Sequence, residues 1–357
     1  EMLPHLGSIA DEICVVRSMN TEAVNHAPGV TFFMTGSQIP GRPSMGAWLS
    51  YGLGTMNEDL PAYVVMTSSD AAKTCGQLFF EHYWSNGFLP GKHQGVRFRG
   101  VGDPVPYVNN PAGVSRDARR TMLDDMQALN RAHFGEVGDP EIDTRISQYE
   151  MAFRMQASVP DLLDFKNEPK SVLEMYGPDV LKPGTFANNC LLARRLAERG
   201  VRYIQLFDWG WDFHGTTPRE DIRDGLTNEM ARTDKPVAAL IRDLKQRGLL
   251  DDTTIVWMGE FGRTPKINGG KGRDHFASAW STVLAGGGIK GGQAIGKTSP
   301  DGTTVIDRPT TTSDFLATIY HHLGIDAAKV TINDFNGRPT ALVNDGKPIA
   351  ELMGRTA

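Results

Sequence analysis

Residues 185–215, TFANNCLLARRLAERG-VRYIQLF-DWGWDFHG, read as helix, strand and polar loop in succession. Thr185 is a helix N-cap residue. Phe186, Cys190, Ala193 and Ala197 recur along one helical face, and Gly200 supplies the stop. Val201–Phe207 follows as a nearly apolar run bounded by Gly200 and Asp208, the pattern of a strand buried on both faces. A short polar loop comes next.

Outward from this unit the pattern repeats. Pro236 is expected to open a second helix, with Val237, Leu240, Ile241 and Leu244 inward and Gly248 closing it, ahead of a strand over Thr253–Met258. Ser313 is expected to cap a third, carrying Phe315, Leu316, Ile319 and Leu323, with Gly324 after it. Further strands are expected at Ile13–Arg17, Ala62–Met66 and Trp280–Ala285. Helix followed by strand, repeated, predicts an α/β fold: a three-layer α/β/α sandwich with a mostly parallel central sheet. Residues from about 115 to 180 read as mainly helical and highly charged, a helical insertion in one domain that spans residues 1–357.

Composition narrows the class. The 357 residues carry 37 Lys and Arg against 42 Asp and Glu, a net charge of −5 that argues against a general nucleic-acid binder. With 40% hydrophobic and 22% charged residues, the bulk of the chain is expected to fold. No apolar run reaches the 18 or so residues of a membrane span. Three cysteines, Cys14, Cys75 and Cys190, make no disulfide framework and no C-x-x-C pair. The chain opens at Glu1 in mid-pattern and is expected to be a piece whose natural N-terminus lies further upstream.

In open α/β sheets, ligands bind beyond the carboxyl ends of the strands. After Val201–Phe207 come Asp212 and His214, a D-x-H pair in a Gly-bounded loop that can converge on a metal. After Thr253–Met258 come Glu260 and Arg263, with Gly259 and Gly262 beside them; a turn-shaping ion pair is the plainer reading. Arg273, Asp274 and His275 precede the Trp280 strand and suit a metal or an anionic oxygen, or else a capping Asp and an exposed His. His26 follows the first strand. Carboxylates together with imidazoles suit Zn, Mn, Mg or Ca. Two motifs are set aside. Gly286–Gly291 spells G-x-G-x-x-G, but no helix is expected after it, as a dinucleotide site requires. His321-His322 falls in the last turn of a helix, where positive character suits the dipole.

Several motifs carry a family resemblance: RISQYEMA at 145–152 with Arg154, Met155 and Gln156, LARRL at 192–196, GEFGRTP at 259–265, GRDH at 272–275 and AGGG at 285–288. The chain resembles the domain-of-unknown-function 1501 family from Leu3 to about Gly354, and that family resembles the alkaline phosphatase and sulfatase superfamily. The resemblance implies an alkaline phosphatase-like α/β/α sandwich with a divalent metal at the sheet's carboxyl edge. It also implies an export signal ahead of this region, often of the twin-arginine type, and hence a periplasmic or otherwise exported protein. It matches His275 to the superfamily's late metal-binding His, and Glu260-Phe261-Gly262 to its Asp-His-Gly, with Phe261 in place of the His. Asp212 and His214 match the Asp and His of the other metal position. The first metal-binding Asp is expected upstream of Glu1. The sulfatase C-x-P-x-R pattern, placed by Pro28 and Thr35-Gly36, puts His26 where a Cys, Ser or Thr nucleophile stands and Val30 where Arg stands.

Two functions follow as expectations. One is a metal-dependent hydrolase of phosphate or sulfate esters. In it Asp212, His214, Glu260, Asp274 and His275 hold the metal, and Arg263 and Arg273 bind anionic oxygens. His26 either attacks directly or serves as general acid or base. The other is a non-catalytic binding or scaffold protein on a decayed hydrolase fold, taking an anionic polymer or a metal. The expected partner is an anionic ester, including sulfated or phosphorylated polymers, with no nucleic acid and no membrane span.

Overall fold

β-Branched and aromatic residues confine the strands to short apolar runs, and glycine ends most of the long helices. The computed structural model describes residues 1–69, 80–100, 103–106, 108–215, 217 and 220–353; Cys75 lies outside them. In chain order the strands are β1 (Ile13–Asn20), β2 (Tyr63–Thr67), β3 (Val96–Phe98), β4 (Tyr203–Phe207), β5 (Ile255–Trp257), β6 (Gly262–Arg263), β7 (His275–Phe276), β8 (Trp280–Ala285), β9 (Gln293–Ile295), β10 (Lys297–Thr298), β11 (Val305–Asp307), β12 (Thr310–Thr311), β13 (Thr331–Asn333) and β14 (Pro339–Ala341). The helices are α1 (Pro4–Gly7), α2 (His26–Thr35), α3 (Met45–Leu53), α4 (Arg116–Val137), α5 (Pro140–Leu163), α6 (Lys170–Tyr176), α7 (Phe186–Glu198), α8 (Gly225–Gln246) and α9 (Thr312–His322).

Among the described residues the strands do not form one mostly parallel sheet, which corrects the sequence expectation. One sheet has the order β12-β1-β8-β5, with β9 also on β1, and β8 runs antiparallel to both β1 and β5. A separate sheet, β3-β2-β4, is parallel. The reason lies in the connection. Residues 258–279 between β5 and β8 hold only the short β6–β7 pair and no helix. A parallel return needs a long crossover, usually helical, whereas an antiparallel one does not. An apolar run buried on both faces carries no mark of its direction.

β1 shows how the layers form. Ile13 and Val15 join one core with Met66, Leu191, Ile241 and Leu244, while Cys14 and Val16 join a second with Phe33, Trp280 and Phe315. Alternating side chains thus bury both faces of the mixed sheet. Cys14 and Cys190 are both buried, and burial pushes the Cys14 thiol up to about 11, so Cys14 does not read as a nucleophile.

The helix over Phe186–Glu198 forms as its residues dictate. Thr185 Oγ1 accepts from Asn188 N at 3.2 Å, and Gly200 takes φ +75°. Thr185→Ala is expected to cost about 1 kcal/mol, read as a lower urea midpoint at unchanged slope. Pro236 does not open a helix but lies inside α8, a correction. The upstream half was hidden because it buries polar groups that have partners: Glu229 pairs with Arg232, and the Asp234 carboxylate accepts from His5 N and Leu6 N, both at 2.8 Å. The third helix starts two residues earlier than expected, in a capping box between Thr311 and Asp314 rather than at Ser313. Residues 115–176 form α4, α5 and α6, and Met155, Val159 and Leu162 of α5 enter the main core. Among the described residues no helix is long and apolar enough to cross a membrane.

Candidate metal centre

Four segments bring the sequence-predicted residues together. His26 is the first residue of α2 rather than a loop residue; Asn25 caps that helix, its Oδ1 accepting from His26 N at 2.9 Å. Asp212 and His214 lie in the loop after β4, and Glu260 lies in the loop after β5. The β6–β7 pair sets Arg263 opposite His275.

Asp212 Oδ1 is the hub. It lies 3.2 Å from His26 Nε2, 2.9 Å from His214 Nε2, 3.3 Å from His275 Nε2 and 2.5 Å from Arg263 Nη1. His214 Nε2 and His275 Nε2 are themselves 3.2 Å apart. A carboxylate oxygen has two lone pairs, so it cannot accept from four donors. The side chains of His26 and Asp212 are each only 6% exposed. Although close to Asp212, His26 Nε2 is not oriented to hydrogen-bond to it, and this buried nitrogen has no hydrogen-bond partner among the described residues. His26, Asp212 and His275 each offer a ligand atom within 4.8 Å of the others.

The far side of every imidazole is tied. His26 Nδ1 makes a short contact with Glu260 Oε1, His214 Nδ1 lies 3.1 Å from Asp274 Oδ1, and His275 Nδ1 lies 3.1 Å from Val24 O. A carbonyl only accepts, so His275 Nδ1 carries its proton and turns the Nε2 lone pair inward. Gly29 allows the first contact, because a Cβ there would meet Glu260 Cγ at 3.0 Å. Burial pulls the His26 pKa down, but Asp212 and Glu260 outweigh it and push it up to about 9, so the pocket favours positive charge. His214 first, then Asn268, holds the Asp274 carboxyl below its ordinary range.

The remaining predicted residues stand apart from the hub. Asp274 is exposed and reaches it only through His214. Arg273 donates to the carbonyls of Thr264 and Pro265 and braces its own loop. Phe261 packs against both His26 and His275, with ring centroids 5.0 and 4.5 Å apart. The Gly286–Gly288 turn leads into no helix, and His321-His322 ends α9.

Two supports escaped the sequence reading. Asp208 takes a two-pronged bond from Arg232 on α8, at 3.0 and 2.7 Å, and accepts from Trp211 Nε1, anchoring the loop that carries Asp212. Asn268 joins that loop to the Asp274 loop. Asp208 and Arg232 are 24 residues apart with no local pattern to link them, and Asn268 offers only a turn signal.

No curated protein matches the chain significantly. Solved structures similar to it include the phosphonate monoester hydrolase SpPMH from Silicibacter pomeroyi, at 12% identity and TM-score 0.43, covering 98% of this chain and 72% of that one. The PsFucS1 sulfatase from Pseudoalteromonas sp. is similar at 13% identity and TM-score 0.42, covering 90% of this chain and 62% of that one. Ps i-CgsB, solved in complex with k-i-k-neocarrahexaose, is similar at 14% identity and TM-score 0.41, covering 92% and 67%. The sequence itself matches one family, described as "Protein of unknown function (DUF1501)", over residues 1–353. The chain therefore belongs to the DUF1501 family.

Proposed function

We propose that the chain is a metal-dependent hydrolase of phosphate or sulfate esters, with His26, Asp212, His214 and His275 holding one divalent cation. The observation that carries this reading is the buried His26 Nε2, which has no hydrogen-bond partner among the described residues and converges with two other imidazoles on one Asp212 oxygen. The donors fit the group: three imidazoles and one carboxylate suit Zn better than Mg or Ca, which favour all-oxygen shells. Glu260 and Asp274 act as outer carboxylates. They fix the tautomers of His26 and His214 and raise ligand basicity, as partners behind metal-bound histidines do.

When bound, the cation supplies Lewis-acid polarisation of an ester oxygen and charge stabilisation. Arg263, whose side chain is 23% exposed, offers its guanidinium to the anionic oxygens of the substrate. Arg273 already spends donors on Thr264 and Pro265 and serves the loop instead. Glu260 holds His26 Nδ1, so Nε2 alone is left to act, and its position against Asp212 favours binding over direct attack on the ester. The substrate class is an anionic ester, sulfated or phosphorylated polymers included. An exported location follows from the family resemblance.

A second reading is a non-catalytic binding protein on the same site. Phe261 favours it: an apolar ring fills the place where the resemblance expects a His ligand.

Elemental mass spectrometry on the protein offered Zn, Mn, Mg and Ca tests both readings. One retained metal per chain is expected, lost in His275→Ala. Turnover of aryl phosphates or sulfates, lost in His214→Ala, is expected for the hydrolase. Metal without turnover across a broad ester panel favours the binding protein, and no retained metal overturns the site.

A further inference from the structure

The loop over residues 266–274 lies directly on the loop that carries His214. A Cβ at Gly272 would sit 2.1 Å from the His214 carbonyl carbon, and one at Gly215 would sit 2.1 Å from Gly270 O. Arg273 N donates to Phe213 O at 2.8 Å across the same seam. One side chain spends its whole hydrogen-bonding capacity at this seam. Asn268 Nδ2 donates to His214 O at 3.1 Å and to Asp274 Oδ1 at 3.0 Å. Asn268 Oδ1 accepts from Gly270 N at 2.9 Å and Gly272 N at 3.0 Å. An amide has two such donors and two such acceptor sites, so none is left over. The amide cannot be turned round, because its oxygen would then face a carbonyl and a carboxylate.

We infer that Asn268 is a positioning residue for the metal centre: it fixes His214 from both ends, through the His214 backbone carbonyl and through the Asp274 carboxylate on Nδ1. The inference rests on the metal reading given above and adds a residue to it. The physical basis is direct. His214 Nε2 reaches Asp212 only if the ring keeps its tilt, and that tilt is set by the carbonyl and by the carboxylate on Nδ1. Asn268 grips both, and its own position is set by the Gly270 and Gly272 amides.

Asn268→Asp is the informative variant. It keeps the oxygen that accepts from Gly270 and Gly272, so the loop can still close. It removes both donors and sets a negative charge against Asp274 and the His214 carbonyl. Co²⁺ is the probe, titrated into metal-free protein and followed by its visible absorption, beside wild type, His275→Ala, Asn268→Ala and Asp274→Asn. Wild type is expected to bind Co²⁺. Asn268→Asp is expected to raise the dissociation constant about 10- to 100-fold with an altered spectrum. The melting temperature of the metal-free variant is expected to fall, because the new carboxylate oxygen faces Asp274 and the His214 carbonyl, so Co²⁺ is titrated at a temperature where circular dichroism shows the variant folded. In the Asp274→Asn background the added loss is expected to shrink to about threefold, because the two residues act through one imidazole.

Wild-type affinity and an unchanged spectrum in Asn268→Asp would overturn the inference and leave the metal centre standing. No Co²⁺ binding by wild type overturns the metal centre itself, and this inference with it. If neither Asp nor Ala at 268 folds, the residue builds the loop and the positioning role is overturned.

Discussion

Asp212→Ala is expected to abolish metal retention altogether and to destabilise the metal-free protein by about 3 kcal/mol. The first effect follows from the hub geometry. His26 Nε2, His214 Nε2, His275 Nε2 and Arg263 Nη1 all lie within 3.3 Å of Asp212 Oδ1, and no other described carboxylate reaches all of them. The second follows from charge. With Asp212 gone, the Arg263 guanidinium loses the carboxylate 2.5 Å from it, and the buried His26 keeps only Glu260. A charge left behind after its partner is removed costs far more than a surface pair contributes. Asp212→Asn separates the two effects. It keeps the shape and one acceptor but not the charge, so the metal is expected to be lost with a smaller change in stability. Added Zn²⁺ or Mn²⁺ is expected to raise the melting temperature of wild type and to leave both variants unmoved, because a ligand stabilises only a state that binds it. Elemental analysis with calorimetry measures both effects. Stoichiometric metal in Asp212→Ala would sink the assignment of Asp212 as ligand.

How much of this could be read from residues alone differs by feature. The α7–β4 unit was legible because cap, apolar stripe and glycine stop all agree over residues 185–200. The direction of β8 was not, since WSTVLA reads the same whichever way its neighbours run. The polar first half of α8 was hidden for a similar reason: Glu229 and Asp234 are buried because other parts of the chain satisfy them, and periodicity counts only apolar residues. The site divides in the same way. His26, Asp212, His214 and His275 were visible as polar residues beside strand ends, and the fold brings their nitrogens and one oxygen within bonding range of each other. The way Glu260 and Asp274 stand behind imidazoles was not visible, because it depends on which atom of each side chain faces inward. Spacing gives the residues of a cluster, and only geometry separates those that converge on Asp212 from those that stand behind the imidazoles.

Arg194→Ala is the corresponding test of the fold, with an expected loss of about 3–5 kcal/mol. Arg194 is only 2% exposed on α7 and faces three carboxylates: Glu168 at 2.6 Å, Glu198 at 2.5 Å and Asp243 of α8 at 2.9 Å. Tyr176 of α6 donates to the same Asp243 at 3.1 Å, so α6, α7 and α8 meet through this one guanidinium. Truncation leaves Glu168 and Asp243 buried with fewer positive partners, namely Arg195 and Arg247. The effect should carry a pH signature. Burial pushes the Glu168 carboxyl up, but Arg194 and Arg195 outweigh it and hold its pKa below the ordinary 4.5. A carboxyl with a lower pKa folded than unfolded binds fewer protons in the native state. Its contribution is therefore present above the unfolded value and is lost as pH falls through the folded one. Wild type is expected to lose this contribution below about pH 4.5, where the variant has less to lose, so the gap between them should narrow on acidification. Arg194→Lys keeps one charge but not the planar fork that serves three carboxylates at once, and should fall between the two. Urea unfolding of the three proteins at neutral and acid pH measures this directly. A cost below about 1 kcal/mol for Arg194→Ala would mean that these carboxylates are solvated like surface pairs, and that α6, α7 and α8 are held together by their apolar faces alone.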